Sequence, residues 1–98
     1  MNPYKVTRSK VREGDSFVTR RVDVEVMNTA SNSRRVIIVR PLASSNTAQA
    51  EGKNAMGDEE LRKRAESFVR TRLQNEEFVR KMEERDPYTV DMPSDFHE

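Results

Sequence analysis

A chain of ninety-eight residues, 34% apolar and 36% charged, has material for one small domain with a thin core. It contains no cysteine, which excludes a disulfide framework, a thiolate zinc site and a cysteine nucleophile together. The net charge of +1 hides a strong asymmetry: residues 1–41 carry nine Lys/Arg against four Asp/Glu, and residues 86–98 carry four acids and no Lys or Arg.

The mean hydropathy of −0.93 agrees with a thin core, and thin cores depend on partners or self-association for stability. The opening "MNPYKVTRSK" has no apolar secretory core, and no run approaches the ~18 apolar residues that span a bilayer. The expectation is a protein without membrane contact, cytoplasmic or part of an intracellular assembly.

In chain order, "YKVTRSKV" reads as a short basic strand, and "REGD" offers a turn at Gly14. "SFVTRRVDVEVMN" is the clearest signal. Val18, Val22, Val24 and Val26 alternate with Arg21, Asp23 and Glu25, the pattern of a half-buried strand. Arg20 interrupts the valine face and marks an exposed strand end or a bulge. "NTASNS" is a polar loop. In "RRVIIVRPL" the continuous run Val36–Val39 predicts a strand covered on both faces or central in its sheet. Pro41 should end its pairing. Short connections make a three-stranded antiparallel meander over residues 1–41 the simplest assembly.

Residues 42–57 are rich in Ser, Ala, Asn, Gln and Gly and carry no period, so a flexible connector is expected there. Residues 58–86 predict one long charged amphipathic helix. Asp58 can cap its start, with Glu59 and Glu60 at the positive end of the helix. Leu61, Ala65, Phe68 and Val69 form an apolar stripe that Arg72, Asn75 and Glu76 then interrupt, before Phe78, Val79 and Met82 resume it. "TRLQNEEF" holds no helix breaker, which favours continuity; the alternative is that Asn75 caps a second short helix. Glu59–Lys63, Glu66–Arg70 and Glu76–Arg80 supply ion pairs at i,i+4. Residues 87–98 read as an extended acidic tail in which Tyr88, Val90 and Met92 alternate. Phe96 follows, and Pro87 and Pro93 disfavour helix. The fold class expected is therefore α+β: an antiparallel meander, a connector, one helix and a tail, in a single small domain.

Catalysis and metal binding find no support in these residues. The only histidine is His97, no EF-hand loop is present, and Gly14, Gly52 and Gly57 form no phosphate-binding pattern. No enzyme, cofactor or small-molecule substrate is expected. Two binding readings remain. The first is a non-enzymatic accessory subunit, adaptor or inhibitor, with a protein partner or a second copy of itself. Its apolar anchors would be Phe78, Val79 and Met82 on the helix end and Tyr88, Val90, Met92 and Phe96 on the tail. The second is a nucleic-acid-binding module. Lys5, Arg8, Lys10, Arg20, Arg21, Arg34, Arg35 and Arg40 would track phosphates, Tyr4 and Phe17 would stack on bases, and the acidic tail would compete for the basic strands. Each has a plainer rival: Lys and Arg blunt the edges of small sheets, and acidic termini fray.

Overall fold

The computed structural model describes residues 3–16, 18–42, 56–94 and 96. Four strands and two helices follow in the order β1 (Tyr4–Glu13), β2 (Arg20–Asn28), β3 (Arg34–Pro41), α1 (Asp58–Arg72), α2 (Glu76–Glu84) and β4 (Tyr88–Met92). The sheet order is β1-β2-β3-β4, with β1–β2 and β2–β3 antiparallel and β3–β4 parallel. The antiparallel meander is present, but the sheet is a mixed one of four strands. The fourth strand comes from the segment expected to be a tail.

Alternation along β2 places Val22, Val24 and Val26 on one face, all at 0% exposure. Ile37 and Val39 of β3 lie beside them in register, also at 0%, and α1 and α2 cover this side. The α1 stripe Leu61, Ala65, Phe68 and Val69 is buried against it, as the 3.6-residue period requires. Burying each of the larger side chains contributes about 1.5–3 kcal/mol. Leu73, Met82 and Met92 complete the cluster.

The helical region breaks into two, contrary to the continuous helix that the absence of Gly and Pro favours. Asn75 is extended, and its Oδ1 accepts the Phe78 N–H at 3.0 Å, capping α2. The break restores the apolar face. A straight continuation would have carried Asn75 and Glu76 onto the buried stripe; with the break after Leu73, both stay exposed and Met82 joins the core. The cap of α1 is Gly57, with no side-chain bond, so Asp58 does not serve as cap. Asp58 holds the Arg20 guanidinium at 3.0 Å, and Arg20 also donates to the Met56 carbonyl. Arg20 thus tethers the start of β2 to the start of α1, which explains its place on the valine side.

Val18 is buried at 4% but precedes β2 and lines a small pocket with Asp15, Arg21, Ile38 and Arg40, on the sheet side opposite Val22. The predicted loop after β2 forms as expected. Asn28 Oδ1 accepts from Ala30 and Ser31, and Asn32 takes φ 61°, a left-handed conformation that asparagine tolerates. The connector expected at 42–57 lies outside the described residues except at Leu42, Met56 and Gly57.

Candidate functional site

The side of the sheet away from the helices is the candidate site. Register fixes its rows. From β1 come Lys5, Arg8, Lys10 and Arg12; from β2 come Arg21, Asp23, Glu25 and Met27. From β3 come Arg34, Val36, Ile38 and Arg40, and from β4 Thr89 and Asp91. Seven cations therefore face three carboxylates on one side of one sheet. Among the described residues, only the turn after β1 folds over it, where Asp15 meets Arg40 at 3.2 Å.

Ion pairs hold the carboxylates in place. Glu25 meets Arg8 at 3.3 Å, Asp23 meets Arg12 at 3.0 Å and Arg21 at 3.1 Å, and Asp91 meets Arg40 at 3.8 Å. The Thr7 hydroxyl donates to Glu25 Oε1 at 2.8 Å. That hydrogen bond, aided by the nearby Arg8 and Arg34 charges, holds the Glu25 carboxyl below its ordinary value of 4.5. Lys5, Lys10 and Arg34 have no ion-pair partner among the described residues. Between the charged rows Val36 and Ile38 stay half-buried on this face.

The continuous run Val36–Val39 predicts two-sided cover; among the described residues one side has it in full, and on the other only the turn after β1, with Val18, reaches Ile38. Ile37 and Val39 meet the helices, while Val36 and Ile38 face outward. The register of β3 on β2 reveals this, and no feature of the run alone would have done so.

Of the eight basic residues predicted to share a surface, Lys5, Arg8, Lys10, Arg21, Arg34 and Arg40 do so. Arg20 and Arg35 fall on the helix side. Arg20 is tied to α1, and Arg35 stands 3.8 Å from Asp86, whose other oxygen accepts the Val36 N–H at 3.3 Å. Tyr4 also lies on the helix side, with its hydroxyl donating to Glu83 at 2.9 Å, so it offers no ring to a base on the open face. Phe17 and His97 lie outside the described residues.

The seven predicted protein-binding residues gather in one place, on the molecule's own core. Met82 and Met92 are at 0% exposure. Phe78 packs on Tyr88 with ring centroids 5.3 Å apart, and Phe96 packs on Phe68 at 5.2 Å. Val79 and Val90 are half-buried against the same cluster. The apolar residues of the closing segment thus find their partner within the chain. What sequence reasoning missed are the outward aliphatics Met27, Val36 and Ile38.

Among the described residues no group of three or more His, Asp and Glu is arranged to hold a metal ion. No described helix is long and apolar enough to cross a membrane. No protein-family model, curated protein or solved structure matches the chain.

Proposed function

We propose that the protein is a non-enzymatic binding subunit, an adaptor or inhibitor in a larger assembly, and that it docks on an acidic protein surface through the open face of its sheet. One observation carries this reading: two half-buried aliphatic residues of the central strand β3, Val36 and Ile38, sit on the open face inside a frame of seven cations. An apolar centre with a charged, arginine-rich surround is the make-up of a protein interface. The cations steer an acidic partner, and the aliphatic side chains supply the contact that water leaves. The helix end and the closing segment, where anchors were expected, pack on the subunit's own core, with Met82 and Met92 fully buried.

A second reading, nucleic acid, is favoured by the six predicted basic residues that share the face. Two features weigh against it. Asp23 and Glu25 stand in the middle strand of the same face, where they repel phosphates. No aromatic ring lies on that face among the described residues, so bases have nothing to stack on.

Photo-crosslinking tests both. A photoreactive residue is placed at Ile38, or at Glu77 on the exposed side of α2 as control, and irradiated in the cells that make the protein. Protein adducts from position 38 and not from 77 are expected. Nucleic-acid adducts at 38 move the second reading to first place. No adduct at 38 sinks the open face as a docking surface.

A further inference from the structure

The strand β1 is an edge of the sheet and runs for ten residues, whereas the other edge, β4, has five and is flanked by Pro87 and Pro93. The flanking prolines keep the β4 edge short. At β1 a bulge between Val6 and Arg8 divides the edge, leaving Arg8–Glu13 as one regular stretch in unbroken register with β2. Alternate residues there turn N–H and C=O groups outward, and no described residue pairs with them. Arg8, Lys10 and Arg12 project to the open face, and the half-buried Ser9 and Val11 project to the helix side.

We propose that the edge Arg8–Glu13 accepts an extended segment of a protein partner as a fifth strand, and that this segment alternates acidic residues with small or apolar ones. The inference rests on the reading of the protein as a protein-binding subunit and names the mode of docking. Charge complementarity selects the occupant. A strand laid along this edge sets every second side chain beside Arg8, Lys10 and Arg12, so carboxylates are favoured there. The intervening side chains meet Val11, where an apolar group fits, and Ser9, whose hydroxyl donates to Glu66 and accepts from Arg62 of α1, where a small polar group fits. Arg8 and Arg12 are already paired with Glu25 and Asp23, but their side chains are 77% and 50% exposed. The carboxylates are less exposed, but each keeps another partner when its arginine turns away, Thr7 for Glu25 and Arg21 for Asp23. A second copy of the chain does not suit the edge, since β1 against β1 sets arginine and lysine against their like. A nucleic acid lacks the alternating backbone donors and acceptors that a ladder needs.

The probe is a nine-residue peptide alternating Glu with Val and Thr, used with the full chain and followed by amide shifts and hydrogen exchange. Two controls accompany it: the same peptide with two backbone nitrogens methylated, and one with Lys in place of Glu. The expected result is salt-sensitive binding that protects amides within Arg8–Glu13. Methylation should weaken binding roughly tenfold or more, because it removes ladder bonds and leaves the charges. The Lys peptide should not bind. Equal binding of the methylated peptide would overturn strand addition in favour of charge attraction alone. Absence of binding would reduce the β1 cations to edge protection, and β1 protection without peptide, together with a dimer in sedimentation, would name a second copy as occupant. None of these outcomes depends on the adduct at Ile38, so the edge and the open face fail or stand separately.

Discussion

Phe96 stands edge-on to Phe68, with ring centroids 5.2 Å apart and planes at 90°. The closing segment of the chain is therefore built into the core over α1, and Arg64 donates to the Phe96 carbonyl at 3.0 Å to hold it there. Upstream, β4 pairs with β3 from Tyr88 to Met92 and buries Met92 completely. Truncation after Asp86 should thus leave a β3 edge open and remove a fully buried side chain. We expect the truncated chain to lose cooperative unfolding or to aggregate. Met92→Ala alone should cost about 2–5 kcal/mol, and Phe96→Ala less, since its ring is only partly buried and an aromatic pair is worth about 0.5–1.5 kcal/mol. Denaturant titrations of the three chains check the order.

The hydrogen bond from the Phe78 N–H to Asn75 Oδ1 fixes where α2 begins. Asn75→Ala should cost about 1 kcal/mol, and Asn75→Asp should cost little, because aspartate accepts the same bond. Thermal melts of both variants decide it. Equal loss in the two would mean that the bend is set by packing of Met82 and Leu73 rather than by the cap.

Two adjacent arginines should behave oppositely. Arg34 projects to the open face, and Arg35 to the helix side beside Asp86 at 3.8 Å. Arg34→Ala should change stability by no more than about 0.5 kcal/mol and weaken binding of an acidic probe. Arg35→Ala should leave that binding intact and cost up to about 1 kcal/mol, the usual ceiling for a half-exposed pair. Measuring stability and probe binding on both variants separates the two faces of β3.

These placements show what the chain makes legible. The strands β2 and β3 were readable because β-branched residues alternate or cluster there between polar loops. The faces of β2 followed from the same period, but those of β1 did not, because the bulge between Val6 and Arg8 shifts the alternation. The strand β4 was not readable: five residues between two prolines, with acids before and within them, have the composition of a frayed end, and a parallel partner about fifty residues upstream leaves no local mark. The helix break was hidden for a related reason. Asparagine is tolerated inside helices, so only the interrupted apolar stripe hinted at it. The candidate site was half legible, since charge clustering pointed to the basic strands but only the register separates Arg34 from Arg35. The ion pairs were partly readable: Glu66–Arg70 and Glu59–Lys63 form at 3.4 and 4.0 Å, while Arg80 pairs with Glu84 and Glu77 rather than with the expected Glu76.

The turn after β1 offers a steric test. Gly14 N–H donates to the Thr19 carbonyl at 3.0 Å, and a Cβ on Gly14 would run into the Val18 carbonyl and side chain. Backbone cannot yield as a flexible side chain does. Gly14→Ala should cost about 1–3 kcal/mol, the range for forcing extra volume into a packed site. It should also loosen the Asp15–Arg40 contact, visible as faster amide exchange across 14–19. A silent Gly14→Ala would mean the turn rearranges freely.

The last prediction concerns acid. Glu25 accepts from the Thr7 hydroxyl and lies near Arg8 and Arg34, with its carboxyl held below the ordinary 4.5. A carboxyl depressed in the folded state contributes stability that is fully present above its unfolded value and is lost as pH falls through its folded value. Thr7→Val removes the donor at nearly constant shape and lets the folded value rise. The stability gap between the parent chain and Thr7→Val should therefore be constant at neutral pH and close as pH drops below 4.5. Glu59, depressed through its hydrogen bonds with Arg62 at the start of α1, should respond in the same direction, and Glu59→Gln isolates it. Denaturant midpoints at a series of pH values between neutrality and acid measure both. If the Thr7→Val gap persisted unchanged in acid, the hydroxyl would be acting through packing and not through the charge on Glu25.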